Sequence, residues 1–151
     1  MKDNIRIAEL NDANELDSLL AKLLLYEKEN YSANIKTGIT MNGFFIKRIN
    51  KDNVILVYEI DKKIVGFIYG YIDSTNKVKT DVESYIEYLY VDTEYRDRGI
   101  GTNLINEFIK LVKEKGTKYI KIENMIANKK TQKLYNNLGF DIYIEERRKS
   151  I

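Results

Sequence analysis

The residues from Tyr88 to Leu104 constrain this chain more than any others. They read as an apolar strand ending at Val91, a short turn, and then Arg96-x-x-Gly99-x-Gly101 opening a helix. The first N–H groups of a helix have no partner inside it, and the helix dipole favours negative charge there. Glycines at that point let an anion approach the backbone closely. The pattern therefore points to a phosphate-bearing ligand held at the centre of a mixed α/β fold.

The rest of the composition narrows the chemistry. The chain has 151 residues, which fits one domain spanning 1–151. It contains no cysteine and no histidine. That removes disulfides, thiolate metal sites, a Cys nucleophile and the commonest general base and metal ligand. No metal site is expected, and catalysis falls to Glu, Asp, Tyr, Lys, Ser, Thr or backbone groups. A net charge of +2 lacks the basic stripe of a nucleic-acid binder. Met1 to Ile5 shows no apolar run of signal type, and no segment reaches membrane-spanning length, so a cytoplasmic protein is expected.

Hydrophobic periodicity gives the order of elements. Ile5 to Ile7 alternates as a first strand, and Asn11 or Asp12 can cap the helix that follows. Leu16, Leu19, Leu20, Leu23 and Leu24 mark one apolar helix face through about Tyr26. Glu27 to Gly43 reads as loop, and Phe44, Phe45 and Ile49 as a short second helix. Val54–Ile60 and Ile64–Ile72 form a hairpin around a turn at Asp61–Lys63. In the strand Ser84–Val91, strict alternation puts Tyr85, Glu87, Leu89 and Val91 on one face and Ile86, Tyr88 and Tyr90 on the other. A helix runs from Ile100 to about Lys115 with Gly116 as its cap, then a strand from Tyr119 to Glu123. A helix over Lys129–Leu138 closes at Gly139, and Phe140–Ile144 reads as a last strand.

Gly99-Ile-Gly101 also approximates the glycine fingerprint of a dinucleotide site, with Glu123 near the distance for a ribose carboxylate. Leu104 stands where the third glycine belongs, seven residues separate Val91 from Gly99, and several strands precede the loop. These features count against that reading. A glycine turn that merely caps a helix is the remaining alternative.

The run Leu89–Gly101, followed by Asn128, Tyr135 and Leu138-Gly139-Phe140, resembles the GNAT superfamily of acyl-CoA N-acyltransferases. The order of elements agrees with it from Ile5 to Ile144. The resemblance implies a GNAT-like fold: a mixed, mostly antiparallel sheet of about six strands with about four helices. It implies acetyl-CoA as cosubstrate. The loop Arg96, Asp97, Arg98, Gly99, Ile100, Gly101 and Thr102 is similar to the one whose amides hold the pyrophosphate. Leu89, Tyr90 and Val91 resemble the strand segment that pairs with the pantetheine arm, where the sheet splays. Asn128 resembles an asparagine contacting the pantetheine region, and Tyr135 a tyrosine placed near the thioester sulfur.

Acetyl transfer to an amine sets two proton problems. An alkylamine has a pKa of about 10.4 and arrives protonated, so a base must deprotonate it. The leaving sulfur must be protonated, and Tyr135 can act as that acid. With no Cys or His, direct transfer in a ternary complex fits the residue types better than an acetyl-enzyme. Glu87 and Glu123 are both candidates for the base, the latter matching the glutamate of family members that acetylate protein N-termini. A base acting through ordered water also stays open. Acceptors of the small-amine or protein-amine kind are expected, with one wall of their site from Tyr26 to Asn42. Only a dozen residues follow Gly139, which leaves the acceptor site open or completed by a second subunit in a homodimer. The alternative function on the same fold is a non-catalytic module that binds coenzyme A or docks a partner.

Overall fold

The computed structural model describes residues 3–31, 34–36, 38 and 40–151. Met1 and Lys2 of the leader reading, and residues 32, 33, 37 and 39 of the expected acceptor wall, lie outside the described residues. The elements run β1 (Asp3–Ile7), α1 (Ala13–Asn30), β2 (Asn53–Ile60), β3 (Lys63–Asp73), β4 (Glu83–Val91), α2 (Ile100–Glu114), β5 (Tyr119–Ile122) and α3 (Lys129–Asn137). The five strands form one sheet in sequence order. The first three pairings are antiparallel, and β4 pairs with β5 in parallel, with α2 as the crossover. This is the expected mixed, mostly antiparallel α/β fold, with five strands and three α-helices among the described residues.

Two layers cover the sheet. On one face, Leu16, Leu19, Leu20 and Leu23 of α1 pack with Ile55, Val57, Phe67, Tyr69 and Tyr90. On the other, Ile100, Leu104, Ile105, Phe108 and Val112 of α2 pack with Leu56, Val65, Ile68 and Ile86. Burying each such side chain contributes about 1.5–3 kcal/mol, so these two faces fix the helices on the sheet. The β2–β3 turn places Asp61 and Lys62 at φ 48° and 69°, the left-handed pair that matches hairpin twist.

Four local readings change. Helix α1 does not stop near Tyr26 but continues to Asn30, because Glu27, Lys28 and Glu29 are good helix formers and need no apolar face to stay helical. Asp12 caps no helix amide of α1; its carboxylate instead takes the Glu9 N–H at 2.7 Å and a two-pronged bond from Arg6 at 2.7 and 3.0 Å. The segment around Phe44, Phe45 and Ile49 is a run of turns rather than a helix. It is held to α1 by the buried carboxylate of Asp17, which accepts from the Gly43 and Phe45 N–H groups at 2.7 and 2.9 Å. Phe140–Ile144 forms no strand; Ile142, Tyr143 and Ile144 are 94%, 74% and 71% exposed.

Candidate active site

Strand β4 keeps its antiparallel partner to its end, Val91 pairing with Gly66. Its parallel pairing with β5 runs only from Glu83–Tyr119 to Ile86–Ile122. From Glu87 to Val91 the edge that faced β5 is therefore open. Leu89, Tyr90 and Val91 all lie on that open stretch, as expected for a wedge between splayed strands.

The loop beyond β4 passes through two left-handed residues before α2 begins. Asp97 and Gly99 both take left-handed backbone, at φ 63° and 77°. Alternating handedness turns successive N–H groups toward one point. Gly99 is the N-cap of α2 and offers no capping side chain, so the first intrahelical bond is Asn103 N–H to Gly99 O at 3.0 Å. The amides of Ile100, Gly101 and Thr102 precede it and lack helical acceptors. A Cβ at Gly101 would meet only Leu134 and Leu89 methyls, at 3.7 and 4.0 Å.

Charged side chains around the loop have partners within the protein. Arg96 donates through Nε to Val91 O at 2.9 Å and lies 4.4 Å over the Tyr26 ring. Arg98 donates to Glu94 O at 3.0 Å. Asp97 pairs with Lys130 of α3 at 2.8 Å, which links loop and helix. Asp92 pairs with Lys22 of α1 at 3.0 Å. Burial pushes the Asp92 carboxyl up, but the bond and charge of Lys22 outweigh it and hold the group below its ordinary value.

Tyr135 is buried in α3, 7% exposed, with its ring 5.9 Å from Phe140. Burial, and then the nearby charge of Glu27, push its phenol well above the ordinary value, so it stays a proton donor. Asn128 caps α3, its Oδ1 accepting from Thr131 N–H at 3.2 Å. That bond occupies one side of the amide group. Glu123 is exposed, one residue past the end of β5.

Glu87 is not on the face that alternation predicts. Tyr69 pairs with Tyr88 and Gly70 with Ile86, leaving Glu87 as the extra residue of a β-bulge. The bulge shifts the phase of the strand. Ile86 joins Leu89 and Val91 on the α2 side, while Tyr88 and Tyr90 face α1. The Glu87 carboxylate lies on the α1 side, where its charge adds to burial in raising the Tyr69, Tyr71 and Tyr88 phenols. An aromatic band surrounds it: Tyr71 stacks on Tyr85 at 5.1 Å, Tyr69 on Tyr88 at 6.1 Å, and Phe44 meets Tyr88 edge-on at 6.0 Å.

A second carboxylate, missed from the sequence, also acts on Tyr88. Glu27 sits in the last turns of α1, half-buried, and burial raises its carboxyl above the ordinary value. Its charge reaches both Tyr88 and Tyr135. The sequence signal was available: Glu27 follows Leu20 and Leu23 at helical spacing, on the side of α1 that the leucines turn toward the sheet.

Residues 20–140 match the Acetyltransferase (GNAT) family. Human N-alpha-acetyltransferase 30 is 38% identical over 81 residues, 54% of this chain and 22% of that protein. Mouse thialysine N-epsilon-acetyltransferase is 28% identical over 142 residues, 89% of this chain and 82% of that protein. The curated relatives that share 32–38% identity are matched over only 22–44% of their own length. A crystal structure of a tetramutant of the BH1408 protein from Bacillus halodurans superposes with a TM-score of 0.86 at 19% identity, over 98% of this chain and 99% of that one, a likeness of fold.

Proposed function

The chain belongs to the Acetyltransferase (GNAT) family, and from that premise we propose that it moves an acetyl group from acetyl-CoA to a primary amine by direct transfer in a ternary complex. The observation that carries this reading is the open edge of β4 from Glu87 to Val91, followed after residues 92–99 by the α2 N-terminus, where the Ile100 to Thr102 amides have no helical acceptor. Together they offer backbone pairing for an extended amide-bearing arm and an anion cradle for a pyrophosphate. The residues fit the cosubstrate on both counts.

When bound, acetyl-CoA supplies an acyl group activated as a thioester. Leu89, Tyr90 and Val91 hold its arm by backbone pairing, with Asn128 contacting the same region. Arg96 to Thr102 hold the phosphates, chiefly through main-chain N–H groups. A free N–H of the β4 edge polarises the acyl oxygen. A carboxylate takes a proton from the ammonium, and the amine lone pair then forms the new C–N bond as the C–S bond breaks. Tyr135 hands its phenol proton to the departing sulfur and is restored by the second proton of the amine. Glu87 and Glu123 were the carboxylates expected for the base. Both are exposed, Glu87 at the β4 bulge on the α1 side and Glu123 one residue beyond β5.

The acceptor in this reading is a small-molecule amine or a protein amine, in keeping with the relatives' names. The reading also takes residues 1–151 as one cytoplasmic catalytic domain. It sets the exposed Ile142, Tyr143 and Ile144 against a second copy in a homodimer. No helix among the described residues is long and apolar enough to cross a membrane.

Thermal unfolding with acetyl-CoA, coenzyme A and NADH in parallel tests the cofactor. At a hundred times its dissociation constant a ligand stabilises by about 2.7 kcal/mol. For a chain of this size that raises Tm by about 5–10 °C. A rise with acetyl-CoA and coenzyme A but not NADH is expected. A rise with NADH alone, or none with any of the three, contradicts the reading.

A further inference from the structure

The last carbonyl on the open edge of β4 already has a partner. Asp92 N–H donates to Val65 O of β3 at 2.8 Å. Across a planar trans peptide the preceding carbonyl points the opposite way. Val91 O therefore faces the edge that β5 leaves open, and Arg96 Nε donates to it at 2.9 Å. The guanidinium that makes this bond is itself set between aromatic rings. It lies 4.4 Å over the ring of Tyr26 on α1 and 5.6 Å from the centre of the Tyr90 ring. The Tyr31 ring meets Tyr26 edge-on at 5.9 Å and so fixes it in turn. One turn earlier on the same side of α1, Lys22 donates to Asp92 at 3.0 Å. Lys22 and Tyr26 thus hold the two ends of the stretch from Asp92 to Arg96, which joins the β4 edge to the turn at Gly99.

Resting on the acetyltransferase reading, we propose that Tyr26 is a positioning residue for the cofactor loop and acts through Arg96. The ring holds the guanidinium in place, the guanidinium closes Val91 O, and that closure fixes where the pairing edge ends and the loop begins. Val91 keeps its N–H for an extended arm. The next part of the arm must leave the strand there and turn toward the amides of α2. A long arginine side chain has many rotamers in solvent, and ordering it on binding would weaken affinity. Tyr26 orders it beforehand. Without the ring, Arg96 is free to leave Val91 O, and the loop loses its tie to α1.

Calorimetric titration with coenzyme A tests this in wild type, Tyr26→Phe, Tyr26→Leu, Arg96→Met and the Tyr26→Leu, Arg96→Met double variant. Any unfolded fraction lowers the stoichiometry rather than the affinity. A cation–π contact is worth roughly fivefold, so Tyr26→Leu should raise Kd by about that factor. Tyr26→Phe keeps the ring and should stay within about twofold of wild type. In the Arg96→Met background, Tyr26→Leu should add nothing, because its effect runs through the missing guanidinium. A ring that only supports α1 would weaken binding equally in both backgrounds. A guanidinium that reached the phosphates directly would bind them as well or better once released from the ring. Unchanged or tighter binding in Tyr26→Leu, an equal loss in Tyr26→Phe, or additive losses in the double variant overturns the role of Tyr26 and leaves the acetyltransferase reading standing. Coenzyme A that fails to bind wild type overturns both.

Discussion

Adding one methyl group at Gly70 should disturb this protein far more than adding one at Gly101. A Cβ on Gly70 would stand 2.2 Å from the Tyr85 carbonyl oxygen and 2.6 and 2.7 Å from two atoms of the Phe108 ring. Ordinary contact begins near ~3.5 Å, so both neighbours must retreat by about 1 Å. Neither can do so freely. The carbonyl belongs to β4 beside the Glu87 bulge, and Phe108 is fully buried against the sheet. Overpacking of this kind costs about 1–3 kcal/mol, and a collision with backbone and ring together belongs at the upper end. The smaller entropy of an unfolded alanine returns about 0.4–1 kcal/mol. A net loss near 2–3 kcal/mol lowers Tm by roughly 4–12 °C in a chain of this length. At Gly101 the same methyl group meets two side-chain methyls at 3.7 and 4.0 Å, which is ordinary contact. Gly101→Ala should keep or raise Tm while weakening coenzyme A binding, because it adds bulk beside the α2 amides proposed to hold the pyrophosphate. Differential scanning calorimetry of the two variants, with and without coenzyme A, measures both effects. A Gly70→Ala Tm within 2 °C of wild type would refute the packing argument.

Three further outcomes follow from the site and its supports. Tyr135→Phe should lower kcat by roughly a hundredfold or more, the lower range for a positioned proton donor, with coenzyme A affinity unchanged; steady-state kinetics and calorimetry separate the two. Asp17→Ala leaves the Gly43 and Phe45 N–H groups unpaired under α1, and chemical denaturation should show a loss of about 1–3 kcal/mol, with full stability in the variant counting against that anchor. The bonds from Lys79 and then Lys121 hold the Glu83 carboxyl down to about 2, against an ordinary 4.5. A lowered pKa means that its stabilisation is complete above 4.5 and is lost as pH falls toward 2. Glu83→Gln should therefore be less stable than wild type at neutral pH and converge with it near pH 2, and parallel melting curves at all pH values would contradict this.

The parts of the fold readable from sequence are those in which a local pattern and its tertiary partner agree. Helix α2 combined a 3.6-residue apolar repeat with glycines at both ends, and its residues are those that pack. The β2–β3 hairpin had a polar turn between two apolar runs. The turn into α2 was legible because glycine favours the left-handed backbone that Gly99 adopts as its N-cap. What escaped depended on contacts distant in sequence. The bulge at Glu87 exists beside Gly70 of the neighbouring strand, and alternation along β4 alone cannot show it. The last turns of α1 are polar, so their helicity rests on propensity and on the Tyr26 ring meeting Arg96. That extension carries Glu27, whose charge acts on Tyr88 of β4. Phe140–Ile144 has the residue types of a strand, but β propensity expresses packing against a partner. Among the described residues Phe140 meets the Tyr135 ring at 5.9 Å and Lys121 Nζ lies 5.3 Å from the Tyr143 ring, but no strand pairs with the segment.

The central claim, acetyl transfer along the open edge of β4, is tested most directly by incubating the protein with acetyl-CoA and a panel of amines. Thiol release and the mass of each amine are followed together. The account predicts amine-dependent release of coenzyme A with an equal yield of N-acetylated product, abolished by removal of either substrate and strongly reduced in Tyr135→Phe. Release that is independent of every amine, or an acetyl group left on the protein itself, would contradict it.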